Sequence, residues 1–150
     1  AKHLYKMRSF VFLIFFVGLA YGGHLEIKKC GTVSRAKVVH IDVSPCDSNP
    51  CVIKRGRPTR FSIAVIPYVN SRTVTLDARF SFWGMNFWIP GVDTDLCRYI
   101  NCPIVAGQTY EASQTIVIST WAPSISTTLT YRVYGDDGEI GCFTADVTIV

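Results

Sequence analysis

His40 stands two residues before Asp42, and Asp93/Asp95 and Asp136/Asp137 form two acidic pairs. A histidine beside a carboxylate, or two carboxylates together, is raw material for general acid–base chemistry. Neither arrangement comes with the rest of an active site. The chain has no G-x-S-x-G elbow, no phosphate-binding glycine loop, no G-x-G-x-x-G turn and no EF-hand pattern. Both acidic pairs sit among turn residues, where Asp is favoured because its side chain bonds local backbone N–H groups. His40 alternates with apolar neighbours, which puts it on the wet face of a strand, and His24 lies near the expected start of the mature chain. With no C-x-x-C spacing, His24 and His40 give no zinc set. The residues predict no enzyme, no metal site and no cofactor. A hydrolase built on His40 and Asp42 is the alternative from that class.

The denser signal is apolar. Phe80, Phe82, Trp83, Met85, Phe87, Trp88 and Ile89 fall within one short segment. Such a run is either ordinary core or the wall of an apolar ligand pocket, since ligand sites are mostly apolar and aromatic with few polar groups. Periodicity alone does not separate a filled interior from a hollow one.

The elements that would hold these side chains read as strands. Thr73 to Phe82 alternates strictly: Val74, Leu76, Ala78, Phe80 and Phe82 on one face, Thr75, Asp77, Arg79 and Ser81 on the other. That is a strand with one dry and one wet face. Arg60 to Ile66 places Phe61, Ile63 and Val65 together, and Val38 to Val43 sets Val39, Ile41 and Val43 against Val38, His40 and Asp42. Further strands fit 25–29, 110–119, 127–134 and 142–149, the last two joined as a hairpin through Gly135-Asp136-Asp137-Gly138. Pro- and Gly-rich turns separate them, and no amphipathic helix of useful length is present. Seven or so short strands read as an all-β antiparallel sandwich.

Composition bounds the rest. The chain has 150 residues, 49% hydrophobic, 13% aromatic and 17% charged, which excludes a disordered segment. Met7-Arg8-Ser9 precedes the apolar run Phe10 to Ala20, with small residues at Ala20 and Gly22, the pattern of a secretory signal peptide. Residues 1–22 are therefore expected to be upstream sequence plus leader, and 23–150 the mature, secreted domain. A run this short falls below the ~20 residues of a membrane span. Without Lys2, Lys6 and Arg8 the formal charge of +4 falls to near neutrality, so no nucleic-acid partner is expected. No N-x-[ST] acceptor occurs. The chain has 6 cysteines, an even number, which in a secreted protein reads as three disulfides with fifteen possible pairings. Cys46/Cys51 and Cys97/Cys102 are spaced to close short loops, which would leave Cys30 and Cys142 to join the two ends.

Taken together, Cys30-Gly31, VSPC-DSNP-CVIKRGRP, IPGVDTDLCRYINCPIVAGQTY and GDDGEIGC resemble the ML lipid-recognition family, which includes mite group 2 allergens and the Niemann–Pick type C sterol-transfer protein. The match runs from about Cys30 to Val150. The resemblance implies an immunoglobulin-like two-sheet sandwich with pairings Cys30–Cys142, Cys46–Cys51 and Cys97–Cys102. It also implies a secreted lipid-binding or lipid-transfer protein that holds a fatty acid, sterol or phospholipid between the sheets. By position it assigns inward, ligand-facing roles to Leu76, Phe80, Phe82, Met85, Phe87, Ile89, Ile116, Ile118, Trp121, Leu129, Tyr131 and Val133. Sterol carriers of the family place a tyrosine just before the proline that is Pro123 here. This chain has Ala122 there, with Trp121 beside it. With the bulk of Phe80, Phe87 and Trp121, that predicts a narrow cavity suited to a single acyl chain. Candidate partners beyond the ligand are a membrane or a receptor. The rival reading is a structural or immune-recognition module of the same fold with a filled core.

Overall fold

The computed structural model describes residues 23–150. The leader assigned to residues 1–22 lies outside the described residues. Among the described residues ten strands form two sheets. In chain order they are β1 (Gly23–His24), β2 (Ile27–Lys29), β3 (Ala36–Ser44), β4 (Cys51–Ile53), β5 (Pro58–Pro67), β6 (Thr75–Phe82), β7 (Met85–Trp88), β8 (Tyr110–Val117), β9 (Ile125–Gly135) and β10 (Gly138–Ile149). The only helical segment among the described residues is a single 3₁₀ turn, Leu96–Arg98, whose N-terminus is capped by the Asp95 carboxylate accepting from the Cys97 N–H.

The first sheet has the order β1-β3-β5-β8 and the second β2-β10-β9-β6-β7. Pairing is antiparallel throughout except for β4, which adds in parallel to the Val147–Ile149 end of β10. The result is the all-β sandwich expected from period-two alternation. Inward residues come from both sheets: Ile41 and Val43 on β3, Phe61 and Ile63 on β5, Ala78 and Phe80 on β6, Leu129 and Tyr131 on β9, Phe143 and Ala145 on β10.

One expected face is corrected. Val39 was placed with Ile41 and Val43 but is 49% exposed, and Val38 packs against the core instead. The cause is a bulge: Val38 pairs with Val65 and His40 with Ala64, so Val39 is the extra residue and the alternation reverses there.

Three disulfides join Cys30 to Cys142, Cys46 to Cys51 and Cys97 to Cys102. The first ties the chain just after β2 to β10, 112 residues away. The other two close local loops at the entrance to β4 and around the 3₁₀ turn. At the start of β10, just after the turn from β9, Gly138 takes φ +104°, a value that disfavours any residue with a Cβ.

Candidate functional site: an apolar channel between the sheets

The interior is not filled. Three apolar chambers follow one another between the sheets. The outer chamber is about 200 Å³, bounded by Ile116 and Ile118 on one side and by Phe80, Leu129, Val147 and Ile149 on the other, with Ile53, Ile89, Trp121, Pro123 and Ile125 completing the wall. A central chamber of about 60 Å³ shares Phe61, Ile89 and Ile116 with the outer one and adds Ile41, Ile63, Leu76, Val92, Leu96 and Tyr131. An inner chamber of about 40 Å³ shares Ile63, Leu96 and Ala112 with the central one and ends against Val133, Ile104 and Ile140. A water's share of liquid volume is ~30 Å³, so the outer chamber holds several waters' worth of space walled almost wholly by hydrocarbon. Polar occupants of such a space find few partners.

Local sequence explains the hollow. Phe61, Ile63, Leu76, Phe80 and Tyr131 all point inward, yet each keeps accessible surface. Facing side chains that met would hide that surface. Here it lines the chambers.

The chamber beside Trp121 reaches the surface at one end of the sandwich. The wall there includes Trp121, 84% exposed, and Val117, 57% exposed. The turn between β4 and β5 is bound to the same end: the Arg55 guanidinium donates to the Thr120 and Ala122 carbonyls, and the Gly56 N–H donates to Ile118. The β6–β7 hairpin lies alongside, held by the Thr127 hydroxyl donating to the Ser81 carbonyl at 2.6 Å. At its tip Trp83 is 86% exposed, with a positive φ of 51° and its ring stacked on Phe82.

The flank of the central chamber is closed by the segment from Ile89 to Leu96. Gln114, inward on β8, fixes it with both ends of its amide: the oxygen accepts from the Asp93 N–H and the nitrogen donates to the Asp93 carbonyl, each at 2.8 Å. The Asp93 carboxylate in turn accepts from the Asp95 N–H and from Arg98.

The residues assigned from the sequence divide into three groups. Phe80, Ile89, Ile116, Ile118, Trp121 and Leu129 line the outer chamber. Leu76, Ile89, Ile116 and Tyr131 line the central one, and Val133 the inner one. Phe82, Met85 and Phe87 lie outside all three walls. β7 is the edge strand of its sheet and every residue on it is exposed, Met85 and Phe87 included. Phe87 reaches the channel only through Phe80, its cross-strand partner, at 5.7 Å between ring centres. The lining residues that went unassigned come from β5, β8 and the loop before β8, Phe61, Ile63, Ala112, Val92 and Leu96, and from β4, β9 and β10, Ile53, Ile125, Val147 and Ile149. Alternation in β5 had already put Phe61 and Ile63 on one face; nothing local marked Val92 or Leu96.

The His40–Asp42 pair, 3.2 Å apart, shares neither the inward face of Ile41 and Val43 nor any chamber wall. Among the described residues no cluster of His, Cys, Asp or Glu could hold a metal ion, and no helix is long and apolar enough to cross a membrane.

A model of the ML domain matches residues 24–149, and the chain belongs to that family. It is 32% identical to the mite group 2 allergen Der p 2 of Dermatophagoides pteronyssinus over 120 residues, covering 79% of this chain and 80% of the allergen. It is 25% identical to NPC intracellular cholesterol transporter 2 of Danio rerio, covering 93% and 95% of the two chains. Among solved structures, a Niemann-Pick type C2 protein from the Japanese carpenter ant superposes with a TM-score of 0.75 at 20% identity, covering 83% of this chain and 99% of that one.

Proposed function

We propose that this chain is a secreted, non-enzymatic lipid carrier that takes up one apolar ligand through the Trp121 mouth and holds it between the sheets. The observation that carries the reading is the row of adjoining chambers whose walls are made almost entirely of hydrocarbon. The chambers are small and adjoin at shared wall residues, Phe61 and Ile116 between the outer and central ones, Ile63 and Ala112 between the central and inner ones. That shape favours a flexible acyl chain over a rigid fused-ring sterol. Burying about fourteen methylenes contributes roughly 11 kcal/mol gross at ~0.8 kcal/mol each, against association costs of at least ~4 kcal/mol. Micromolar binding then needs no ion pair. The zebrafish relative, named a cholesterol transporter, supports an apolar ligand in general.

Native mass spectrometry of the purified protein tests the reading directly. A carrier retains co-purifying lipid or takes up a fluorescent fatty acid. A clean apo mass with no uptake of fatty acid or sterol identifies the rival, a structural module. Preference for a fluorescent sterol over the fatty acid overturns the acyl-chain assignment while leaving the carrier in place.

A further inference from the structure

The channel is hydrocarbon nearly throughout, and the exception lies at its centre. Tyr131 sits on β9 between the buried residues Leu129 and Val133 and shares their inward face. Its neighbours across the sheet are Ala78 on β6 and Phe143 on β10, neither of which offers a hydrogen bond. Its ring lines the central chamber.

The other polar side chains in that wall are already satisfied. Both ends of the Gln114 amide are taken up by the Asp93 backbone. The Ser62 hydroxyl bonds that of Ser113 at 2.6 Å. The Tyr131 hydroxyl has no hydrogen-bond partner among the described residues. Yet no sealed side-chain oxygen or nitrogen lacks a partner. The Tyr131 oxygen is therefore not fully enclosed by protein atoms, on a residue that lines the central chamber. Loss of water around it pushes its pKa well above the ordinary tyrosine value, so it stays protonated and remains a donor.

We infer that the central chamber recognises a neutral oxygen function on an otherwise apolar ligand — a hydroxyl, ketone or ester carbonyl — through a hydrogen bond donated by Tyr131. The inference rests on the carrier reading and sharpens it. No lysine, arginine or histidine lines the chamber. An ionised carboxylate placed there would lose its water for a single neutral donor, whereas a carbonyl or hydroxyl loses far less. The oxygen must also reach the central chamber, where Tyr131 lies. The ligand class is thus a long-chain alcohol, ketone or ester whose oxygen enters ahead of, or lies along, the chain.

The test compares a long-chain methyl ketone with the alkane of equal carbon number, each displacing a fluorescent apolar probe from wild type and from Tyr131→Phe. Comparing each ligand across the two proteins cancels its own hydration. The substitution is expected to weaken the ketone about tenfold, equivalent to 1.4 kcal/mol, and to leave the alkane within twofold. Equal effects on both ligands, or none, overturn the proposal while leaving the carrier intact. Failure of wild type to take up probe, ketone and alkane alike overturns the carrier reading, and this one with it. A second readout needs no variant. With tyrosine labelled at the carbon bearing the hydroxyl, the Tyr131 resonance should shift on adding ketone and stay in place on adding alkane. A resonance indifferent to both sinks the assignment even if Tyr131→Phe fails to fold.

Discussion

Asp136 shows how one surface residue can hold two loops. Its carboxylate accepts from the Thr73 hydroxyl at 2.6 Å and the Arg72 N–H at 2.9 Å, tying the β9–β10 turn to the segment before β6. Those bonds, the Thr73 hydroxyl first, hold its pKa well below the ordinary carboxylate value. A depressed native pKa stabilises the fold fully above the unfolded value, about 3.9, and that contribution is lost as pH falls towards the native one. Asp136→Ala should therefore lower the urea midpoint at neutral pH, and the gap to wild type should close on acidification below about pH 3.9. A gap that stays constant with pH would mean the carboxylate's ionised form is not what matters. The channel gives a second contrast at this scale. Ile118→Asp puts an unpaired carboxylate into the outer chamber wall and should abolish uptake of a fluorescent fatty acid. Phe87→Asp, on the exposed edge strand, should leave uptake within about threefold, because water already reaches that position.

Elements decide what such residues face. The long strands were legible because their residues alternate over many positions: β6 was expected from Thr73 and begins at Thr75, and β10 was expected from Cys142 and begins at Gly138. Three features were not legible, each for a physical reason. The bulge at Val39 leaves no trace in composition, since one inserted valine looks like any other. β4 is three residues long and is set by its parallel pairing with β10, a long-range contact. The Ile89–Leu96 segment lines the channel because Gln114 fixes it from another strand, so its pattern is not periodic at all. That tie is testable. Gln114→Leu leaves the Asp93 N–H and carbonyl without their partner and should cost about 1–3 kcal/mol in chemical denaturation. Ligand release, followed by stopped-flow, should also quicken, since the flank of the central chamber loosens. Unchanged release with lowered stability would show that this segment is wall and not part of the exit path. The disulfides rank by the same logic of chain length. On the loop-entropy account, losing Cys30–Cys142, 112 residues apart, costs about 4–5 kcal/mol, and losing either local bridge about 2 kcal/mol.

At the scale of the whole molecule, exposed apolar surface and positive charge converge on the end where the channel opens. Trp83 and Trp121 are the two most exposed large apolar residues among those described, and Met85 stands near the first, on the same hairpin. Beside them the turn that binds the Trp121 loop carries Lys54, Arg55 and Arg57. Lys54 and Arg57 are exposed and make no ion pair with another described residue. Tryptophan prefers the headgroup level of a bilayer, and each basic residue near an anionic lipid surface contributes about 1 kcal/mol. A ligand leaving a dry channel for water would lose the burial that held it. A mouth set against lipid lets it pass from one apolar medium to another. The protein should therefore sediment with vesicles containing phosphatidylserine, and binding should weaken as salt is raised. Trp83→Ala/Trp121→Ala should reduce binding at every salt concentration, while Lys54→Glu/Arg57→Glu should reduce it and flatten the salt dependence. Transfer of a fluorescent fatty acid to those vesicles should slow in both variants, with equilibrium affinity for the fatty acid in solution kept by the charge variant. If transfer runs at the wild-type rate in both, the ligand crosses water on its own and the aromatic rim has no part in delivery.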